Sequence, residues 1–169
     1  MKPPLLPSET FRRVMRVARF DGLSVLGVAG AFALVSAASR DVSGALIGLL
    51  VAAAGAIELH GVTLLRAGRE RGMGWLISGQ LYLMAILLCY AAMRLARPDI
   101  STLRAVVTAE LAEQIRQAGL GIDEFLLEFL RLVYVGVAAV TVLYQGGMTI
   151  YYVRRRAAVA VALHEEEVE

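Results

Sequence analysis

A single cysteine, Cys89, is all the thiol in this 169-residue chain, so no intrachain disulfide can form. With only two histidines, His60 and His164, no Cys/His set has the spacing of a metal site. Bis-histidine haem ligation is disfavoured too, because His164 stands in a polar C-terminal tail. There is no Gly-x-Ser-x-Gly, and nothing pairs Cys89 with a histidine as a nucleophile. Cys89 lies in an apolar stretch and is expected to serve as a small core hydrophobe. Residues 68–74 are glycine-rich but lack the spacing and the lysine of a phosphate loop, and read as a tight turn. Three of the four prolines fall in residues 1–7, which are expected to be extended, and the last is Pro98. These gaps leave no catalytic, nucleotide or metal motif, so neither an enzyme nor a cofactor is expected.

Charge is also scarce: Asp, Glu, Lys and Arg make up 19% of the chain, against 58% hydrophobic residues, and the mean hydropathy is +0.65. A water-soluble domain of this size has too much surface for its volume to hide so many apolar groups. Lipid is their natural solvent. Four runs are long enough, at 1.5 Å rise per residue, to cross a hydrocarbon core. They are residues 22–38, 42–65, 73–93 and 132–153. The second carries Glu58 and His60; Trp75 opens the third, and Tyr151 and Tyr152 close the fourth before three arginines, as aromatic girdles and basic stops do at membrane boundaries. The fold expected is an all-α integral membrane protein, a four-transmembrane-helix bundle.

Residues 1–20 form the first non-spanning segment. Ser8 is a candidate cap, and Phe11, Val14, Met15 and Val17 or Ala18 recur at helical spacing between Arg12, Arg13, Arg16 and Arg19. That pattern reads as a cytoplasmic amphipathic helix on the membrane surface, running straight into the first span. A cleaved signal peptide ending near Ser36-Ala37-Ala38 would leave three spans, but the long amphipathic leader suits a retained anchor better. Residues 98–131 are expected to form a small extracytoplasmic helical cap. One helix is read over 100–118 from the row Leu103, Val107, Leu111 and Ile115, then a break at Gly119-Leu120-Gly121, then Asp123 capping a last helix over roughly 125–155. Glu128 and Arg131 pair at i, i+3 in its first turns. Residues 154–169 are expected to be a cytoplasmic tail, frayed from His164.

Orientation follows from the basic residues. Eleven of the 17 Lys and Arg lie on one side, at Lys2, Arg12, Arg13, Arg16, Arg19, Arg66, Arg69, Arg71, Arg154, Arg155 and Arg156. That side is expected in the cytoplasm of a plasma (inner) membrane, with both termini. Arg12, Arg13, Arg16, Arg66, Arg69, Arg71, Arg154, Arg155 and Arg156 are candidate contacts for anionic lipid headgroups. No folded domain carries these charges away from the membrane, so nucleic acid is not an expected partner.

Glu58 is the residue most open to a functional reading. An acid at membrane depth costs up to about 2.5–3.5 kcal/mol, and such residues face other helices or a pathway. At 100° per residue, Glu58 falls within about 40° of Gly44, Gly48 and Gly55, so it is expected on a packed, small-residue helix face. His60 points the other way, which prevents the two from acting as adjacent ligands. On span four, Tyr134, Thr141, Gln145 and Tyr152 share a line that suits either a polar path or interhelical hydrogen bonds; Gln80 looks isolated. Two functions follow. One is a non-enzymatic structural or accessory subunit that forms a homo-oligomer or binds a membrane partner, using the glycine stripe of span two and the small-residue face Gly27, Gly30, Ala31 and Ala38 of span one. The other is a small oligomeric channel or proton-coupled transporter with Glu58, Tyr134, Thr141 and Gln145 on its path.

Overall fold

The computed structural model describes residues 6–168. Six helices and no strand make up that stretch: α1 (Pro7–Ala38), α2 (Val42–Arg66), α3 (Arg71–Ala96), α4 (Ser101–Val106), α5 (Ala109–Gln117) and α6 (Ile122–Val168). Four of them, α1, α2, α3 and α6, are long and apolar enough to cross a membrane. Val28, Leu34 and Leu143 each turn about three-quarters of their surface outward, at 74%, 74% and 76%. Apolar surface of this kind is a liability in water and neutral in lipid. The chain is an all-helical membrane protein.

Its helices end where the backbone can reverse. α1, α2 and α5 close on the same device: one residue in the left-handed region, whose neighbour's N–H reaches back to the third-last carbonyl of the helix. At α2 this residue is Gly68 (φ 73), with Arg69 N–H donating to Leu64 O at 2.9 Å. At α5 it is Gly119 (φ 77), with Leu120 N–H on Ile115 O at 3.2 Å. At α1 it is Arg40 (φ 59), with Asp41 N–H on Ser36 O at 2.8 Å. Asp41 then caps α2, its carboxylate accepting from Gly44 N–H at 3.0 Å.

The chain divides into two compact units, Met1–Ile86 with Leu143–Glu169, and Leu87–Val142. In the first, α1 and α2 lie in close backbone contact. A Cβ on Gly48 would stand 2.9 Å from Ala33 N, and one on Gly55 2.6 Å from Gly22 O and 2.7 Å from Leu26 N. α2 and α3 approach as closely at Gly61 and Gly72, where a Cβ on either would meet the other's carbonyl oxygen at 2.9 or 2.6 Å. The apolar core of this unit draws on all four long helices: Val14 and Ala18, Val62 and Leu65, Met73 and Leu76, and Tyr152, Val159 and Leu163.

Several expectations change here. The leader helix does run straight into the first span, as α1, but its early turns bury Thr10, Val14 and Ala18 in the unit's interior. Ser8 is not its cap: Leu6 holds that position, without a side-chain bond, and Pro7 takes the first turn, where a missing N–H costs nothing. α6 runs on through the expected tail to Val168, and the last residue lies outside the described stretch, as do residues 1–5. His164 meets Glu70 at 3.0 Å. Cys89 is exposed on α3 and is no core residue.

In the second unit the helix expected over 100–118 is two helices. Thr108 interrupts it and caps α5, its hydroxyl accepting from Leu111 N–H at 3.3 Å. Asp99, just before α4, accepts from the Ser101 hydroxyl and amide, which hold its carboxyl below the usual carboxylate range. Asp123 caps nothing; it lies in the first turn of α6, where an acid suits the helix dipole, and meets Arg104 at 3.6 Å. Glu128 pairs with Arg131, and Arg94 Nε donates to the Tyr134 hydroxyl at 3.0 Å.

Candidate functional site

The polar residues of the first unit converge on one point. Gln80 of α3, fully buried, directs its side-chain nitrogen at two acids: Nε2 donates to Asp21 Oδ2 of α1 at 2.8 Å and to Glu58 Oε1 of α2 at 2.9 Å. Two tyrosines of α6 complete the set. The Tyr152 hydroxyl donates to Glu58 Oε1 at 2.8 Å, and the Tyr144 hydroxyl donates to Asp21 Oδ1 at 3.0 Å. Four helices thus meet through five side chains.

The surrounding glycines explain how such short groups touch. Asp21 precedes Gly22, and Glu58 stands one turn beyond Gly55, so the backbone approach of α1 and α2 brings their carboxyls together. Gly79, beside Gln80, would place a Cβ 3.6 Å from Ala54 O, which draws α3 in to the same level. Asp21, Glu58, Gln80 and Tyr152 are buried, while the ring of Tyr144 is half exposed.

The charge balance of this centre is unusual. None of the ion pairs among the described residues involves Asp21 or Glu58. Each acid receives one amide N–H and one phenolic O–H. Two like charges in apolar surroundings repel strongly. Gln80 Oε1 accepts no hydrogen bond from the protein and neither does Gln145 Oε1, although both are buried; an orphaned buried acceptor costs about 1–3 kcal/mol. Two acids, one amide and two phenols thus form one hydrogen-bonded cluster. Among the described residues no three His, Cys, Asp or Glu gather as a metal site would require.

The residues singled out from the sequence are distributed as follows. Glu58 is in the centre. Gln145 is buried on α6 in the same unit, whereas Tyr134 and Thr141 belong to the second unit, where Tyr134 accepts from Arg94. Gln80 is not isolated but is the hub. Gly48 and Gly55 pack against α1; Gly44 instead lies under the Asp41 cap, whose carboxylate occupies the space a side chain would need. His60 is exposed, edge-on to Trp75 with ring centroids 4.9 Å apart. Arg12, Arg13, Arg16, Arg66, Arg69, Arg71, Arg154 and Arg156 have no acidic partner among the described residues, and Arg155 stacks over the Tyr151 ring at 6.0 Å. Asp21 and Tyr144 are the residues that sequence reasoning missed. The signal of Asp21 was an acid directly before a charge-free run and beside a glycine.

No protein-family model, no curated protein and no solved structure matches the chain.

Proposed function

We propose that the chain is a small proton-coupled channel or transporter in which the Asp21–Glu58 pair takes up and gives up a proton. The observation that carries this reading is the single nitrogen, Gln80 Nε2, on which both carboxyl groups converge at 2.8 and 2.9 Å. With no basic partner at hand, two charged carboxyl groups on one nitrogen repel, and a proton bound or released there changes the charge of the interior by a full unit. A purely structural clasp is met at lower cost by amides or apolar side chains. Ionisable groups at membrane depth serve proton relays and ion pathways. Tyr144, bonded to Asp21 with its ring half exposed, joins the pair to its surroundings.

Proteoliposomes with an imposed pH gradient and an internal pH dye test this. The wild type is expected to pass protons, and Asp21→Asn and Glu58→Gln to stop the flux while eluting as the wild type does on size exclusion. A wild type that moves neither protons nor common monovalent cations overturns the reading.

A second reading is a non-enzymatic accessory subunit that associates with itself or with another membrane protein. One observation favours it: a Cβ on Gly27 or Gly30 of α1 would meet nothing within 4 Å, leaving a small-residue face open to a neighbouring helix. Here Gly27→Leu with Gly30→Leu is expected to abolish cross-linked oligomers, and Glu58→Gln to leave them intact. In both readings the arginine-rich end lies in the cytoplasm of a plasma membrane, with both termini, and residues 98–131 form a helical cap outside.

A further inference from the structure

The arginines of the two units are held differently. Of those in the second unit, Arg104, Arg116 and Arg131 each meet a carboxylate, Arg94 meets a tyrosine hydroxyl, and Arg97 meets neither among the described residues. In the first unit, Arg16 and Arg19 of α1 and Arg66 of α2 line one groove of about 430 Å³ with Met15, Phe20 and Leu23. None of the three forms an ion pair or side-chain hydrogen bond among the described residues. Three guanidinium groups from two helices therefore surround one space with nothing to neutralise them. The apolar wall is as unusual: Phe20 is 75% exposed and Leu23 50%, and the wall continues into the outward, lipid-facing surface of α1.

We infer that this groove is a binding site for one anionic phospholipid, its phosphate held by Arg16, Arg19 and Arg66 and an acyl chain lying over Phe20 and Leu23. Guanidinium groups bind phosphate oxygens in paired, directional hydrogen bonds, and the desolvation that makes a buried arginine costly is small at the headgroup level. A soluble anion would satisfy the arginines but leave Phe20 and Leu23 uncovered; a zwitterionic lipid would cover them but bring its own cation to the arginines. Only a lipid with net negative charge meets both halves of the groove. The site depends on the chain being in a membrane and not on the acid pair, so the flux experiment and this one fail independently.

Native mass spectrometry of the full chain, released from nanodiscs of mixed phosphatidylglycerol and phosphatidylcholine, reads the site directly. One phosphatidylglycerol is expected to stay bound in preference to phosphatidylcholine, and neither inorganic phosphate nor glycerol phosphate is expected to displace it. Each of Arg16→Gln, Arg19→Gln and Arg66→Gln is expected to weaken retention roughly fivefold, and the three together on the order of a hundredfold. The control is Arg69→Gln, Arg71→Gln and Arg154→Gln, three arginines of the same unit outside the groove. If this control loses lipid as fully as the groove variant, the attraction is a diffuse field and the site does not exist. Displacement by inorganic phosphate overturns the lipid as occupant, and equal retention of both lipids overturns the charge argument. Circular dichroism of each variant, compared with the wild type, separates loss of binding from loss of fold.

Discussion

Gly22 of α1 and Gly55 of α2 meet backbone to backbone: a methyl group on Gly55 would stand 2.6 Å from the Gly22 carbonyl oxygen. Each glycine neighbours an acid of the buried centre, Asp21 in one case and Glu58 in the other. The contact that sets the distance between the two helices therefore also sets the distance between the two carboxyl groups.

Enlarging that contact should be felt at the acids. Gly55→Leu is expected to destabilise the protein by about 1–3 kcal/mol through overpacking, measured by unfolding in detergent micelles, and to abolish any proton uptake by the pair. Gly27→Leu, into open space, is the matched control and should leave stability unchanged. Equal effects from both would mean that α1 and α2 do not touch at Gly55.

The hub offers a second test. Gln80→Leu removes the donor shared by Asp21 and Glu58 and is expected to cost about 2–4 kcal/mol, since two buried acceptors each lose a partner. Adding Asp21→Leu and Glu58→Leu removes those acceptors as well. Much of the lost stability should then return, because an apolar core replaces the polar group as a whole. A triple variant less stable than Gln80→Leu alone would contradict the network.

Two helix ends predict opposite signs for reciprocal changes. Arg40 takes a left-handed conformation (φ 59) in which a side chain is strained, and Gly68 (φ 73) takes one that glycine adopts freely. Arg40→Gly is expected to stabilise by up to about 1 kcal/mol, and Gly68→Ala to destabilise by about 1 kcal/mol. Thermal unfolding of both in one detergent gives the comparison.

Orientation is open to labelling. In a Cys89→Ser background, Arg69→Cys and Gln117→Cys are separated by a single passage of α3. A membrane-impermeant maleimide is expected to reach the second from outside intact cells and the first only after lysis. The reverse pattern would invert the topology and leave the helices as they are.

The long helices were legible because their signal is local. Runs of 42–65 and 73–93 chosen from hydropathy alone match α2 (Val42–Arg66) and α3 (Arg71–Ala96) to within a few residues. The centre was less so, because its bonds join residues far apart in sequence. Glu58 stood out as an acid inside an apolar run, and its glycine stripe told which way it faced. Gln80 had no polar neighbour on its own helix, since its partners belong to α1 and α2. Asp21 sat at the seam between an arginine-rich leader and a charge-free run, where an acid passes for a flank. The α1 turn was hidden for a simpler reason: its left-handed residue is an arginine, where a glycine would have marked it. The apolar row through residues 103–115 likewise masked the interruption at Thr108.

Tyr144 and Tyr152 hang from one unbroken helix, about two turns apart, and reach different acids. Both phenolic donors of the centre are therefore supplied by a single continuous element, and any displacement of that element alters the surroundings of the two carboxyl groups together.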